Sequence, residues 1–215
     1  MEAGAMKEER VTFKSGDLTL EGMIGSPDGA GPHRAAVVCH PHPLYGGSMY
    51  NNVVDAVLEA LHARGFATLR FNFRGVGQSE GEFDNGQGEA DDAVAAIRFL
   101  IAQKGVRADS AVLAGYSFGA MTAVRAAAGV EQVAAIVAVA LPLGMIDPSA
   151  LGAITKPIVL LAGDQDSYCP ANHLAALAER LGPLARLKII PGADHFFGGR
   201  EHEITAALDE ALTAL

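Results

Sequence analysis

The sequence predicts an α/β fold: a doubly wound, mostly parallel β-sheet flanked by helices. Three observations predict it. Short apolar runs alternate with helical patterns along nearly the whole chain. Each run ends in a turn, as strands buried on both faces of a parallel sheet do. The first two runs instead flank a polar Ser15-Gly16-Asp17 turn and read as an antiparallel hairpin at a sheet edge. A chain of 215 residues, half of them hydrophobic, suits one domain over residues 1–215 with a sizeable core.

The hairpin strands are expected at residues 11–15 and 18–24, followed by a Gly/Pro-rich loop. Further strands are expected at residues 35–39, 67–72, 110–114, 133–139, 157–162 and 186–190. Helices are expected between them. Residues 51–64 place Val54, Val57, Leu58 and Leu61 on one face, and Gly65 ends the helix. Residues 89–103 open with acids, which favour a helix N-terminus. Residues 118–128, 171–181 and 201–215 complete the set. The connection 140–156 has no room for a large cap domain, which predicts a shallow, open site.

Composition narrows the function classes. The formal net charge of -9 argues against a nucleic-acid binder, which would carry a basic stripe. Two cysteines are too few for a disulfide framework; Cys39, in an apolar run, reads as a small buried residue and Cys169 as a bystander. The polar N-terminus lacks the apolar segment of a signal peptide, with Met6 as an alternative start. The longest apolar stretch stops at Pro142, too short to cross a bilayer. A soluble cytoplasmic protein is expected, with no membrane partner; a homodimer is allowed.

Chemistry is concentrated in three loops. Gly115-Tyr116-Ser117-Phe118-Gly119 lies between a predicted strand and a predicted helix, the setting of a nucleophile elbow. There Ser117 would stand at a helix N-terminus, where free N–H groups and the helix dipole favour developing negative charge. A serine needs a base. Asp164 and Asp166 follow the strand 157–162, and Asp194-His195 follows the strand 186–190. The order Ser, Asp, His, with each residue at the carboxyl end of a strand, predicts a triad of Ser117, Asp166 and His195. Asp166 is preferred because Asp164 directly follows Gly163 and reads as a turn cap. Asp194 reads as a loop-stabilising acid.

The loop His40-Pro41-His42-Pro43-Leu44-Tyr45-Gly46-Gly47 follows the third strand. It is expected to supply the second oxyanion donor, with Phe118 N–H as the first. Proline has no N–H, so His42 and Leu44 both remain candidates. A metal reading of His40 and His42 is disfavoured, because no further ligand follows at a suitable spacing. No metal or other cofactor is expected. The remaining histidines, His33, His62, His173 and His202, read as exposed or structural. Arg74, in the loop after the fourth strand, is expected to pair with a nearby acid.

Together with Phe71-Asn72-Phe73-Arg74-Gly75-Val76-Gly77-Gln78-Ser79 and Gly192-Ala193-Asp194-His195-Phe196-Phe197, these motifs make the chain resemble the small, capless α/β-hydrolases close to the dienelactone hydrolase group. The resemblance covers nearly the whole chain. It implies a bacterial cytoplasmic serine hydrolase that acts on small or short-acyl esters. Dienelactone hydrolase proper has a cysteine nucleophile, and the serine at 117 points instead to ordinary ester hydrolysis. Thioester or amide cleavage on the same triad, and a non-catalytic binding role, are the alternatives.

Overall fold

The computed structural model describes residues 7–213. Met6 and the last two residues of the helix predicted over 201–215 lie outside them.

A hairpin opens the fold, with β1 (Lys7–Ser15) and β2 (Leu18–Ser26) paired antiparallel. Then follow β3 (His33–Cys39), α1 (Asn52–Ala63), β4 (Ala67–Phe71), α2 (Gln87–Ile101) and β5 (Val106–Tyr116). The second half runs α3 (Phe118–Ala127), β6 (Val133–Val139), α4 (Pro148–Gly152), β7 (Ile158–Gly163), α5 (Ala171–Leu181), β8 (Ala185–Ile190) and α6 (Glu201–Leu212). The strands form one sheet in the order β1-β2-β4-β3-β5-β6-β7-β8. From β4 to β8 all pairs are parallel, and β2 is antiparallel to both its neighbours.

Strand β6 is buried along almost its full length, β7 at every residue, and β5 over Ala111–Tyr116. This explains why they read as apolar runs rather than as alternating patterns. Helix α1 packs on α6, and α2 packs on α3. The Asn51 side chain accepts a hydrogen bond from Val53 N–H and caps α1, a contact typically worth about 1 kcal/mol. No helix among the described residues is long and apolar enough to cross a membrane.

Several boundaries differ from the sequence expectation: β1 starts at Lys7 rather than 11, β2 ends at Ser26 rather than 24, and β3 starts at His33 rather than 35. Strand β5 is longer at both ends, because its end residues find strand partners: Val106 pairs with His33, Gly115 with Cys39 and Tyr116 with Val139. Helix α2 starts at Gln87, and Glu89 folds back inside its first turn to accept from Gly86 N–H at 2.7 Å. The short helix α4 was not expected; five residues are too few to show a helical period.

Arg74 does pair with an acid. The buried Asp92 of α2 accepts from Arg74 Nε at 3.0 Å and Nη2 at 2.7 Å, and from Ser15 Oγ at 2.7 Å. This carboxylate ties the hairpin and the loop after β4 to α2.

Candidate active site

The loop between β5 and α3 is a tight elbow. Ser117 takes φ 55° and ψ -115°, a region that side chains rarely occupy. Its N–H donates to Val139 O at 2.9 Å, so the neighbouring strand β6 holds it there. The two flanking glycines are required by space. A Cβ on Gly115 would lie 2.1 Å from the carbonyl oxygen of Gly119, and one on Gly119 would lie 2.2 Å from that of Cys39. The Gly-x-Ser-x-Gly pattern is therefore a packing requirement of this turn.

Asp166 sits in the loop after β7 with its side chain wholly buried. Its Oδ1 accepts from Tyr168 N–H at 2.9 Å and Cys169 N–H at 2.8 Å, and its Oδ2 lies 2.8 Å from His195 Nδ1. His195 Nε2 lies 3.0 Å from Ser117 Oγ. The structure thus brings Ser117, His195 and Asp166 into one chain of hydrogen bonds. Asp164 points elsewhere and accepts from Gly192 N–H at 2.6 Å, joining the two loops. Asp194 caps its own loop through Phe196 N–H and Phe197 N–H. Reach separates the three acids: Asp166 lies far enough into its loop to meet the imidazole. The Cys169 thiol beside it is pushed up to about 12 by burial and then by Asp166, so it stays protonated.

The loop after β3 faces the elbow. Pro43–Tyr45 forms a single 3-10 turn, and His42 Nδ1 caps it by accepting Leu44 N–H at 3.2 Å. That contact occupies the Leu44 N–H, and the Leu44 side chain points to solvent. His42 lines the cleft above Ser117, its ring 4.9 Å from those of Phe118 and Phe83. Burial lowers the His42 pKa, with Glu89 acting weakly in the opposite direction. Phe118 opens α3, and the first N–H groups of a helix have no partner within it. His40 is engaged at both nitrogens. Its Nδ1 donates to Pro41 O at 2.6 Å and its Nε2 accepts from Phe73 N–H at 3.1 Å. It does not converge with His42 on a common point.

The cleft over Ser117 has a volume of about 600 Å3, within the size of ordinary small-molecule sites, roughly 300–1,000 Å3. Pro142 and Met145, both in the short 140–156 connection, form part of its wall. Tyr45, Tyr168 and Phe196 stand at the mouth. The sequence reading missed this collar. Tyr168 and Phe196 had a signal, since each follows a candidate catalytic residue closely; Tyr45 and Met145 had none.

Comparison with known proteins follows the same lines. Residues 16–180 match the family model described as X-Pro dipeptidyl-peptidase (S15 family). An uncharacterized protein from Rickettsia prowazekii is 39% identical over 188 residues, covering 84% of this chain and 79% of the relative. An α/β serine hydrolase homologue from Coxiella burnetii is 34% identical with a TM-score of 0.86, covering 98% of this chain and all of that one. A serine hydrolase described as lacking a lid, from Xanthomonas campestris, is 32% identical with a TM-score of 0.86, covering 97% of this chain and 94% of that one. The chain belongs to the S15-type family of α/β hydrolases and has the α/β-hydrolase fold without a large cap.

Proposed function

We propose that this α/β hydrolase is a carboxylesterase acting on small, short-acyl esters through Ser117, His195 and Asp166. The observation that carries the reading is the 3.0 Å contact between His195 Nε2 and Ser117 Oγ at the base of an open cleft. The Ser117 hydroxyl proton passes to His195 Nε2 as Oγ attacks the ester carbonyl carbon. Asp166 holds Nδ1–H, fixing the tautomer and stabilising the imidazolium. Phe118 N–H and His42 N–H receive the oxyanion, a contribution of several kcal/mol in such sites. Of the two sequence candidates for the second donor, His42 is favoured because the Leu44 N–H is already bonded to His42 Nδ1. As the tetrahedral species collapses, the C–O bond to the alcohol breaks and His195 returns its proton to the leaving oxygen. Water then attacks the acyl-serine with His195 as base, releasing the acid and restoring Ser117.

An ester fits the cleft better than a peptide with a free X-Pro end, the substrate that the family's name implies. A dipeptidyl-peptidase must hold a free ammonium, best done by a carboxylate. No Asp, Glu, Lys or Arg is found among the described residues that line the cleft.

Labelling with a fluorophosphonate probe tests the assignment. The wild type should label at Ser117 and hydrolyse p-nitrophenyl acetate and butyrate faster than long-chain esters. Ser117→Ala should do neither while keeping its circular dichroism spectrum. Full activity in that variant removes the proposal.

A further inference from the structure

The exposed large apolar side chains of this protein are not scattered. Among the described residues they are Leu44, Tyr45, Tyr50, Met145, Tyr168 and Phe196. Four of them, Tyr45 (85% exposed), Met145 (63%), Tyr168 (56%) and Phe196 (62%), line the one cleft that holds Ser117. A contiguous apolar collar of this kind marks a binding surface. The nucleophile at its base identifies the occupant as substrate.

The chemistry of the reaction orients that occupant. The leaving oxygen must take its proton from His195 Nε2, so the alcohol part of the ester lies beside His195. Two rings stand there, Tyr168 at 4.8 Å and Phe196 at 5.6 Å from the imidazole centroid. Both are anchored through their backbones. Tyr168 N–H is bonded to Asp166, and Phe196 N–H is bonded to Asp194. Exposed rings on pinned backbone lose little freedom when a ligand stacks on them.

Resting on the esterase reading above, we infer that the alcohol half of the substrate is an aromatic group without negative charge, held by Tyr168 and Phe196. An anionic group would enter this collar, which holds no Lys or Arg among the described residues, without a partner and lose its hydration.

Steady-state kcat/KM for benzyl acetate and n-hexyl acetate tests the inference, because the two alcohols have comparable acidity. The wild type should prefer the benzyl ester. Tyr168→Leu and Phe196→Leu keep the apolar bulk but remove the ring face, and each should cut the benzyl-to-hexyl ratio roughly fivefold. Tyr50 packs on Arg70 outside the cleft, so Tyr50→Leu should leave the ratio unchanged. 4-Carboxybenzyl acetate should be a poor substrate. A preference for the hexyl ester, an equal fall on both esters, or efficient cleavage of 4-carboxybenzyl acetate overturns the inference while the esterase assignment stands. Absence of ester hydrolysis together with absence of fluorophosphonate labelling overturns both.

Discussion

The Tyr116 hydroxyl donates a hydrogen bond of 2.8 Å to the carbonyl oxygen of His195. Tyr116 is the residue before Ser117, and its ring lies 5.5 Å from the imidazole. The elbow therefore holds the histidine loop directly, besides presenting the serine. Burial and then the nearby Asp166 and Asp194 raise the Tyr116 pKa, so the hydroxyl keeps its proton and remains a donor.

Tyr116→Phe removes that bond and keeps the ring. A buried hydrogen bond contributes about 1 kcal/mol, and its unpaired carbonyl partner adds to the loss. We expect kcat to fall roughly tenfold with KM little changed, since the imidazole is displaced and the collar is not. Stopped-flow acylation with p-nitrophenyl acetate would separate this from a change in binding. An unchanged acylation rate would show that the His195 loop holds its position without Tyr116.

His42 has two duties that substitution can separate. In the proposed mechanism its N–H receives the oxyanion, and its Nδ1 caps the turn that carries it. Asparagine can accept the Leu44 N–H in the same way, and alanine cannot. His42→Ala should lower kcat by roughly 10- to 100-fold, and His42→Asn should recover most of it. Equal rates in the two variants would remove the capping role.

Ser117 carries backbone strain of about 1–3 kcal/mol at φ 55°. Glycine relieves it and alanine does not. Both variants should be inactive, but Ser117→Gly should melt higher than Ser117→Ala by a few degrees, at about 2–4 °C per kcal/mol for a chain of this size. Calorimetry on the pair checks this.

His40 is kept neutral, its pKa lowered to about 4 chiefly by burial. In the unfolded chain the same imidazole takes up a proton near its usual pKa of about 6.5. Between those values the unfolded state binds more protons, so stability falls as pH drops from about 6.5 towards 4. The slope is at most about 1.4 kcal/mol per pH unit for this group. Burial also lowers His42 and His62, which adds in the same direction. Urea midpoints should be lower at pH 5 than at pH 7.5. His40→Asn should be less stable overall, with a flatter pH dependence.

Much of this fold is legible in the sequence because the sheet is buried on both faces. Strands such as Val133–Val139 and Ile158–Gly163 then stand out as apolar runs without any partner being known. Ser117 and Asp166 are legible for a related reason, since each follows such a run; His195 follows β8, of which only Ile190 is buried, and is legible from its place in the order Ser, Asp, His. What stays hidden depends on distance in the chain. The Tyr116–His195 bond joins residues 79 apart, and the collar draws one ring or thioether from each of four loops. The His42–Leu44 cap is local, but it depends on a ring torsion that no residue pattern encodes.

Strand β8 is the outermost strand at its end of the sheet and pairs with β7 alone. Only its last residue, Ile190, is fully buried. His195 lies five residues beyond it. The His195 imidazole is therefore mounted beyond a sparsely buried margin of the sheet, while Ser117 is set in its middle. Partial opening of this margin would withdraw the imidazole and leave the rest folded. In rising urea, hydrolysis should disappear before the far-UV circular dichroism signal does, and amide exchange should run faster across Ala185–Ile190 than across Val133–Val139. The working life of such an enzyme would be limited by the fraying of one marginal strand rather than by the melting of its core.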